Sequence, residues 1–341
     1  MDMNRFKGKY GPLLIAEIGG NHEGNFDYAK KLTELAIESD ADCIKFQMYT
    51  GESIVNKKID PARSKHFKKF ELSKDQYIEL AKIVRESGKE FLASVWSEEM
   101  IRWIDPYLNM YKVGSGDLTA YPLLKKIALL GKPIILSTGL ATEQEVIDSV
   151  NFIQSINNVY KEKNYLAVLQ CTSMYPIANN DANLNVLDRF KELFKELSIG
   201  FSDHTVGYDA LKYAVAKRAE ILEFHFTDER EGKVFRDHKV SLTRDEVKVL
   251  ISEIKHINEF LGDEQKQPTC IEISNNHQIS FRRAVYPKRD LIKGHVINEN
   301  DLIILRPMKG IDARSFYDLI GLRVNRTIKS YAELKWEYFE K

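Results

Sequence analysis

Polar side chains interrupt several short apolar runs of this chain, and they are of the types that handle anions, metals and protons. Glu17 closes one run, and Lys45 and Gln47 lie in the next. Lys112, Ser115 and Asp117 belong to a third, and Ser137, Tyr175, Ser202, His204, Glu223 and His225 punctuate later ones. A lysine inside an apolar strand is costly unless an anion compensates it. Lys45 and Lys112, with the hydroxyls of Ser115, Ser137 and Ser202 and the amides beside Gly114, Gly116 and Gly139, would make a pocket for phosphate or carboxylate. Taken alone, each lysine also reads as half of a structural ion pair. Two lysines together with three serines favour the anion pocket.

His204 and His225 end consecutive runs. Neighbouring strands lie roughly 5 Å apart, so two imidazoles at matching depth can share one metal. Two neutral nitrogens, completed by oxygen or water, suit a divalent ion, Mn²⁺ ahead of Zn²⁺. A single buried histidine would be read as an ordinary core residue; the pair favours metal. His66, His256, His277 and His295 have helix or loop contexts and are expected to face solvent. Trp96, Trp103 and Trp336 read as core or interface aromatics.

The elements that must position these residues alternate along the chain. Strand-like runs are expected at Leu13–Gly19, Asp42–Tyr49, Glu90–Trp96, Met110–Gly114, Pro133–Thr138, Tyr165–Thr172, Ile199–Asp203 and Ile221–Phe226. Their Ile, Val, Leu and aromatic content suits parallel strands covered on both faces. Between them, stretches such as Tyr28–Ile37 and Tyr77–Val84 repeat apolar residues at helical spacing, and Gly88, Gly131 and Gly262 stand where helices should end. Eight βα units in about 250 residues is the size of a (β/α)8 TIM barrel. Periodicity alone would also allow a doubly wound sheet; even spacing favours closure. The polar residues then converge on the face formed by the C-terminal strand ends, where barrel active sites are built.

The expected organisation is a catalytic barrel over residues 1–262, a linker over 263–280 and a small β-rich domain over 281–341. A hydrophobic fraction of 43% supports a packed core, and 50 basic against 50 acidic residues leave no net field to attract nucleic acid or an anionic membrane. The start lacks the apolar region of a signal peptide, and no apolar run approaches the roughly 20 residues that span a bilayer. Cys43, Cys171 and Cys270 are few and scattered, so a reducing cytoplasm is expected, with all three as buried small hydrophobes.

In this order the segments resemble the N-acetylneuraminate (sialic acid) synthase family, which includes the legionaminic and pseudaminic acid synthases. The matching stretches are Ala16–Gly24, Ile44–Gln47, Tyr111–Gly116, Tyr121-Pro122, Gly131–Gly139, Cys171-Thr172, Tyr175-Pro176, Ser202–His204 and His225–Thr227. Asp290–Gly294 and Leu305–Pro307 look like that family's antifreeze-like (SAF) domain. The resemblance implies condensation of phosphoenolpyruvate with an open-chain N-acylated aminohexose, releasing phosphate, in a homodimer whose C-terminal domains are exchanged. It implies metal on His204 and His225, and phosphoenolpyruvate on Lys45, Lys112, Ser115, Ser137 and Ser202. Sugar contacts are implied at Gln47, Asp117, Tyr175, Asp237 and Arg306, with Glu17 as the acidic residue beside metal and substrates. The chain departs from the usual pattern at Asp117, Ser94–Ser97, Phe224 and Val234–His238, all expected near the sugar pocket. Two rival readings are a Schiff-base pyruvate aldolase using Lys112 and a non-catalytic sugar-binding protein.

Overall fold

The computed structural model describes residues 5–162 and 164–340, which divide after Gly262 into two compact units. The expected domains at 1–262 and 281–341 include residues 1–4, 163 and 341, which lie outside the described residues.

The first unit is a closed parallel barrel. Its strands are β1 (Gly11–Glu17), β2 (Cys43–Met48), β3 (Glu90–Val95), β4 (Tyr111–Val113), β5 (Ile134–Ser137), β6 (Leu166–Cys171), β7 (Ser198–Asp203) and β8 (Ile221–His225). They pair in sequence order, and β8 pairs with β1 to close the sheet. Each strand leads to a helix of the outer layer: α1 (Phe26–Glu38), α2 (Lys74–Glu86), α3 (Glu98–Ile104), α4 (Tyr121–Ala128), α5 (Glu143–Ile156), α6 (Val186–Leu193), α7 (Asp209–Ala216) and α8 (Arg244–Leu261); two further short helices, Gly51–Ile54 and Pro61–Lys68, lie between β2 and α2. The sequence states where several of these helices begin. Ser73 with Gln76, Thr142 with Glu145 and Thr243 with Glu246 form capping boxes at α2, α5 and α8, each N-cap typically contributing about 1 kcal/mol. Gly88 and Gly131 take positive φ (79° and 68°) just beyond α2 and α4, as a helix-terminating turn requires.

Alternation along each strand sorts side chains between two cores. Leu14, Ala16, Ile44, Phe46, Val113 and Leu222 face outward to the helices. Leu13, Ile15, Cys43, Leu92, Ile135 and Ile221 face inward and, with Phe6, fill the lower barrel. This apolar floor matters for function: it ends below the strand tips, and the inward positions above it include Glu17, Lys45, Lys112, Ser137, Ser202, Glu223 and His225.

The second unit holds two small antiparallel sheets, β9 (Ala284–Pro287) with β10 (Leu302–Leu305), and β11 (Arg323–Val324) with β12 (Phe339–Glu340). Their apolar core includes Val285, Leu291, Leu302, Leu319, Val324 and Leu334. The segment 263–280 carries two short helices, Cys270–Ser274 and His277–Ser280. Several expectations fail in this unit. Cys270 is exposed rather than buried, because its helix contributes nothing to the apolar core. Trp336 is 51% exposed, which sets aside the core half of its expectation and leaves the interface half. His295 is half-buried, its Nε2 2.6 Å from Asp301 Oδ2. Among the described residues no helix is long and apolar enough to cross a membrane.

Candidate active site

Strand register brings the chemistry together. Glu17 on β1 lies opposite Lys45 on β2 and opposite His225 on β8. Cys171 on β6 lies opposite Ser202 on β7, which in turn faces Glu223 on β8. Glu17, Lys45, Lys112, Ser137, Ser202, His204, Glu223 and His225 are all buried.

Two ion pairs form the centre. Lys45 Nζ bonds Glu17 Oε2. Lys112 Nζ donates to Ser137 Oγ at 2.6 Å and lies 3.5 Å from Glu223 Oε1, an approach across the lumen from β4 to β8. Ser202 Oγ donates to that same oxygen at 3.0 Å. The lysines are therefore compensated within the chain itself. Sequence reading left Glu223 without a role, yet it sits two residues before His225 and so shares its inward face. That spacing was the signal for it.

The carboxylates divide their behaviour. Burial alone would raise Glu223, but Lys112 and Lys45 outweigh it and hold the group down at about 2. Burial raises Glu17, and Lys45 does not fully offset this. Burial lowers Lys112 despite Glu223, whereas for Lys45 the charges of Glu17 and Glu223 overcome burial and raise it. The two carboxyl groups are thus driven apart, Glu223 toward its charged form and Glu17 toward its neutral form. Glu17 Oε1 and Glu223 Oε2 have no hydrogen-bond partner among the described residues.

Beside the ion pairs, Ser115 Oγ accepts from the Gly139 amide at 3.0 Å. A Cβ at Gly139 would sit 2.3 Å from Ser173 Oγ and 2.9 Å from Ser115 Oγ, so only glycine leaves this hydroxyl-lined cradle open. Ser173 is the second residue that sequence reading left unassigned.

The imidazoles of His204 and His225 stand 5.3 Å apart, centroid to centroid. His204 Nδ1 donates to the Thr172 carbonyl at 2.6 Å, which leaves Nε2 as the nitrogen open to a metal once deprotonated; burial lowers this imidazole, but Cys171 and the Thr172 carbonyl outweigh it and raise it. Burial drives His225 down to about 4, so it is neutral, and its Nδ1 is unpartnered among the described residues. Such a pair fits a divalent metal. No cluster of three or more His, Cys, Asp or Glu donors occurs among the described residues, so oxygens from substrate or water would complete the shell. Tyr175 walls the pair, 4.0 Å from the His204 ring and 5.4 Å from the His225 ring. The Arg236 guanidinium lies 4.2 Å over the Tyr175 ring.

Of the expected sugar contacts, Asp237 is buried, its Oδ2 3.7 Å from His225 Nδ1 and its Oδ1 accepting from Arg236 Nε at 2.9 Å. Asp117 stands in the short turn after β4, and burial pushes its carboxyl up to about 6. Gln47 Nε2 approaches Gly19, 3.4 Å from where a Cβ would be. Phe224 does not face the site at all: it packs outward against the helix layer. Arg306 belongs to the second unit, exposed, with its guanidinium 5.1 Å over the Phe281 ring. A surface hollow of about 520 Å³ near Phe6, Pro12 and Leu261 lies at the opposite end of the barrel and contains none of these groups.

A parallel barrel with a buried charged centre at its C-terminal strand tips defines the class of (β/α)8 proteins whose loops and strand ends carry chemistry. Within that class the chain belongs to the NeuB family, whose model matches residues 32–266; a SAF domain model matches residues 282–337. It is 32% identical to the N,N'-diacetyllegionaminic acid synthase of Legionella pneumophila, over 96% of this chain and 94% of that protein. Identity to the human N-acetylneuraminate-9-phosphate synthase is also 32%, over 94% of this chain and 91% of that one. A crystal structure of N-acetylneuraminic acid synthetase from Leptospira borgpetersenii aligns with TM-score 0.72 and 27% identity, covering 78% of this chain and 90% of that one.

Proposed function

We propose that this chain is a nonulosonic acid synthase that joins phosphoenolpyruvate to an open-chain N-acylated aminohexose and releases phosphate. One observation carries the reading. Two buried lysine–carboxylate pairs, a hydroxyl-lined cradle and a pair of adjacent histidines share the strand tips of one barrel.

In this reading Lys45 and Lys112 hold the phosphate and carboxylate of phosphoenolpyruvate, supplying position and charge without covalency. Ser115, Ser137 and Ser202 complete the anion contacts. A divalent metal, Mn²⁺ by preference, held by His204 and His225, would polarise the aldehyde oxygen. The C2=C3 π pair of phosphoenolpyruvate forms the new bond from C3 to the aldehyde carbon as the C=O π bond breaks and its oxygen takes up a proton, and water adds to the electron-poor C2. Glu17, its carboxyl raised by burial and so made more basic, takes the proton from that water. The tetrahedral adduct then breaks its C2–O bond to phosphate and leaves a 2-oxo acid. Gln47, Tyr175, Asp117 and Asp237 border the sugar. A homodimer, with Arg306 among the sugar contacts, and a cytoplasmic setting belong to the same proposal. Sedimentation of the pure protein tests the dimer.

Lys112 supports one other reading. A buried lysine whose pKa is lowered is suited to a Schiff base. The two are separated by assaying phosphate release from phosphoenolpyruvate with a panel of N-acylated mannose- and altrose-type aldoses. Aldose-dependent phosphate supports the condensation. Pyruvate trapped on the protein by borohydride supports the aldolase.

A further inference from the structure

Trp96 follows β3 two residues after Ser94, which pairs opposite Lys112 on β4, so alternation turns the indole toward the lumen. Its ring stacks on Tyr49 with centroids 5.2 Å apart, and Tyr49 meets Phe67 edge-on at 5.2 Å. The indole Nε1 is sealed from solvent and makes no hydrogen bond among the described residues. Burying a donor in that state costs about 1–3 kcal/mol. Aromatic packing could be had from phenylalanine without that penalty, so the N–H calls for a function.

Its surroundings suggest one. A Cβ built on Gly114 would lie 3.9 Å from Trp96 Nε1 and 3.9 Å from Asp117 Oδ2. A pure donor and a carboxylate acceptor therefore flank one point at the tip of β4, the strand that carries Lys112. The indole acts on Asp117 and favours its charged form, yet no hydrogen bond of accepted geometry joins them.

We propose that Trp96 and Asp117 together hold one hydroxyl of the acceptor sugar, which donates to Asp117 and accepts from Trp96 Nε1. A hydroxyl both donates and accepts through one oxygen, so it can satisfy two groups around a single point. A trans secondary amide directs its C=O and N–H to opposite sides, and an ammonium has no lone pair to offer the indole. The Tyr49–Trp96 stack gives the C–H face of the sugar an apolar wall. Resting on the proposed condensation, this narrows the acceptor to N-acyl aldoses that keep a free hydroxyl at that position.

The test uses phosphate release from one N-acyl aldose and its complete monodeoxy series, with the wild type, Trp96→Phe and Asp117→Asn. A site that hydrogen-bonds a substrate hydroxyl rejects the analogue lacking it, here by ~100-fold or more in kcat/KM. Trp96→Phe should cost about tenfold on the parent aldose and almost nothing on one particular deoxy analogue, a non-additivity that marks direct contact. Asp117→Asn should couple to the same position, and the phosphoenolpyruvate KM should hold in Trp96→Phe. Equal losses on every analogue would make Trp96 structural and overturn the inference. So would coupling to the N-acyl group, or coupling of the two variants to different positions. Should Trp96→Phe fail to fold, Asp117→Asn on the same series decides: no coupling to any hydroxyl overturns the pairing. Phosphate release without coupling sinks this inference alone; no phosphate with any aldose sinks the condensation and this inference with it.

Discussion

Substitution of Glu223 by glutamine removes one charge from the barrel while keeping its shape. Ser202 keeps an acceptor, but Lys112, 3.5 Å away, loses its nearest counter-charge. At that separation and an effective dielectric of about 20, the attraction is about 5 kcal/mol. The cost of keeping an ammonium in this interior is several kcal/mol. The two terms are comparable, so the charge on Lys112 hangs on Glu223, and its pKa, already lowered by burial, must fall further in Glu223→Gln. Where Lys112 becomes neutral, its charge-assisted contact to phosphoenolpyruvate is lost, a penalty of about 1.5–3 kcal/mol, or roughly 10- to 150-fold in KM. Where it stays charged, removal of a competing carboxylate leaves binding as tight as before or tighter. The sign follows from the direction of the shift: a lysine is charged below its pKa, so the penalty grows as pH rises. The assay is the phosphoenolpyruvate KM of both proteins between pH ~6 and ~9. The two curves should meet at the acid end and diverge at the basic end. Parallel curves, or a variant that binds better at every pH, would refute the reasoning.

Three further outcomes are expected. His225→Ala should lose Mn²⁺ binding by calorimetry with an unchanged circular dichroism spectrum, since Nδ1 of the removed ring makes no hydrogen bond among the described residues; full binding would reject the histidine pair. The carboxyl of Asp117 is raised to about 6, so it is ionised above that pH and protonated below. The aldose KM should therefore climb as pH falls through about 6 in the wild type, and Asp117→Asn should show no such inflection. Gly200 faces into the barrel on β7, where a Cβ would lie 2.5 Å from both the Ile221 carbonyl and Leu169 Cδ2. Gly200→Ala should cost about 1–3 kcal/mol by urea unfolding, and an unchanged midpoint would show the strands can part.

The barrel strands were legible to within two residues at each end, because runs of Ile, Val and Leu between amphipathic stretches leave few other arrangements. Lys45, Lys112, His204 and His225 were legible for the same reason: a charged group in an apolar run announces itself. Contacts across the lumen were not. Period-two alternation places Glu223 on the face of His225, but its meeting with Lys112 depends on the width of the closed barrel, which no local spacing encodes. Trp96 was read as packing, since an unpartnered indole N–H is invisible until its neighbours are known. Phe224 illustrates the converse, a departure from the family pattern that turns out to face the helices. In the second unit the exposed Cys270 broke the expectation of burial, because a small β-rich unit covers little surface.

The most direct test of the proposed condensation is the stoichiometry of phosphate released from phosphoenolpyruvate on addition of an N-acylated aminohexose with Mn²⁺ present. One phosphate for each new 2-oxo acid is expected, with no phosphate when the sugar is left out. Product formed without phosphate, or pyruvate fixed to Lys112 by borohydride, would contradict it.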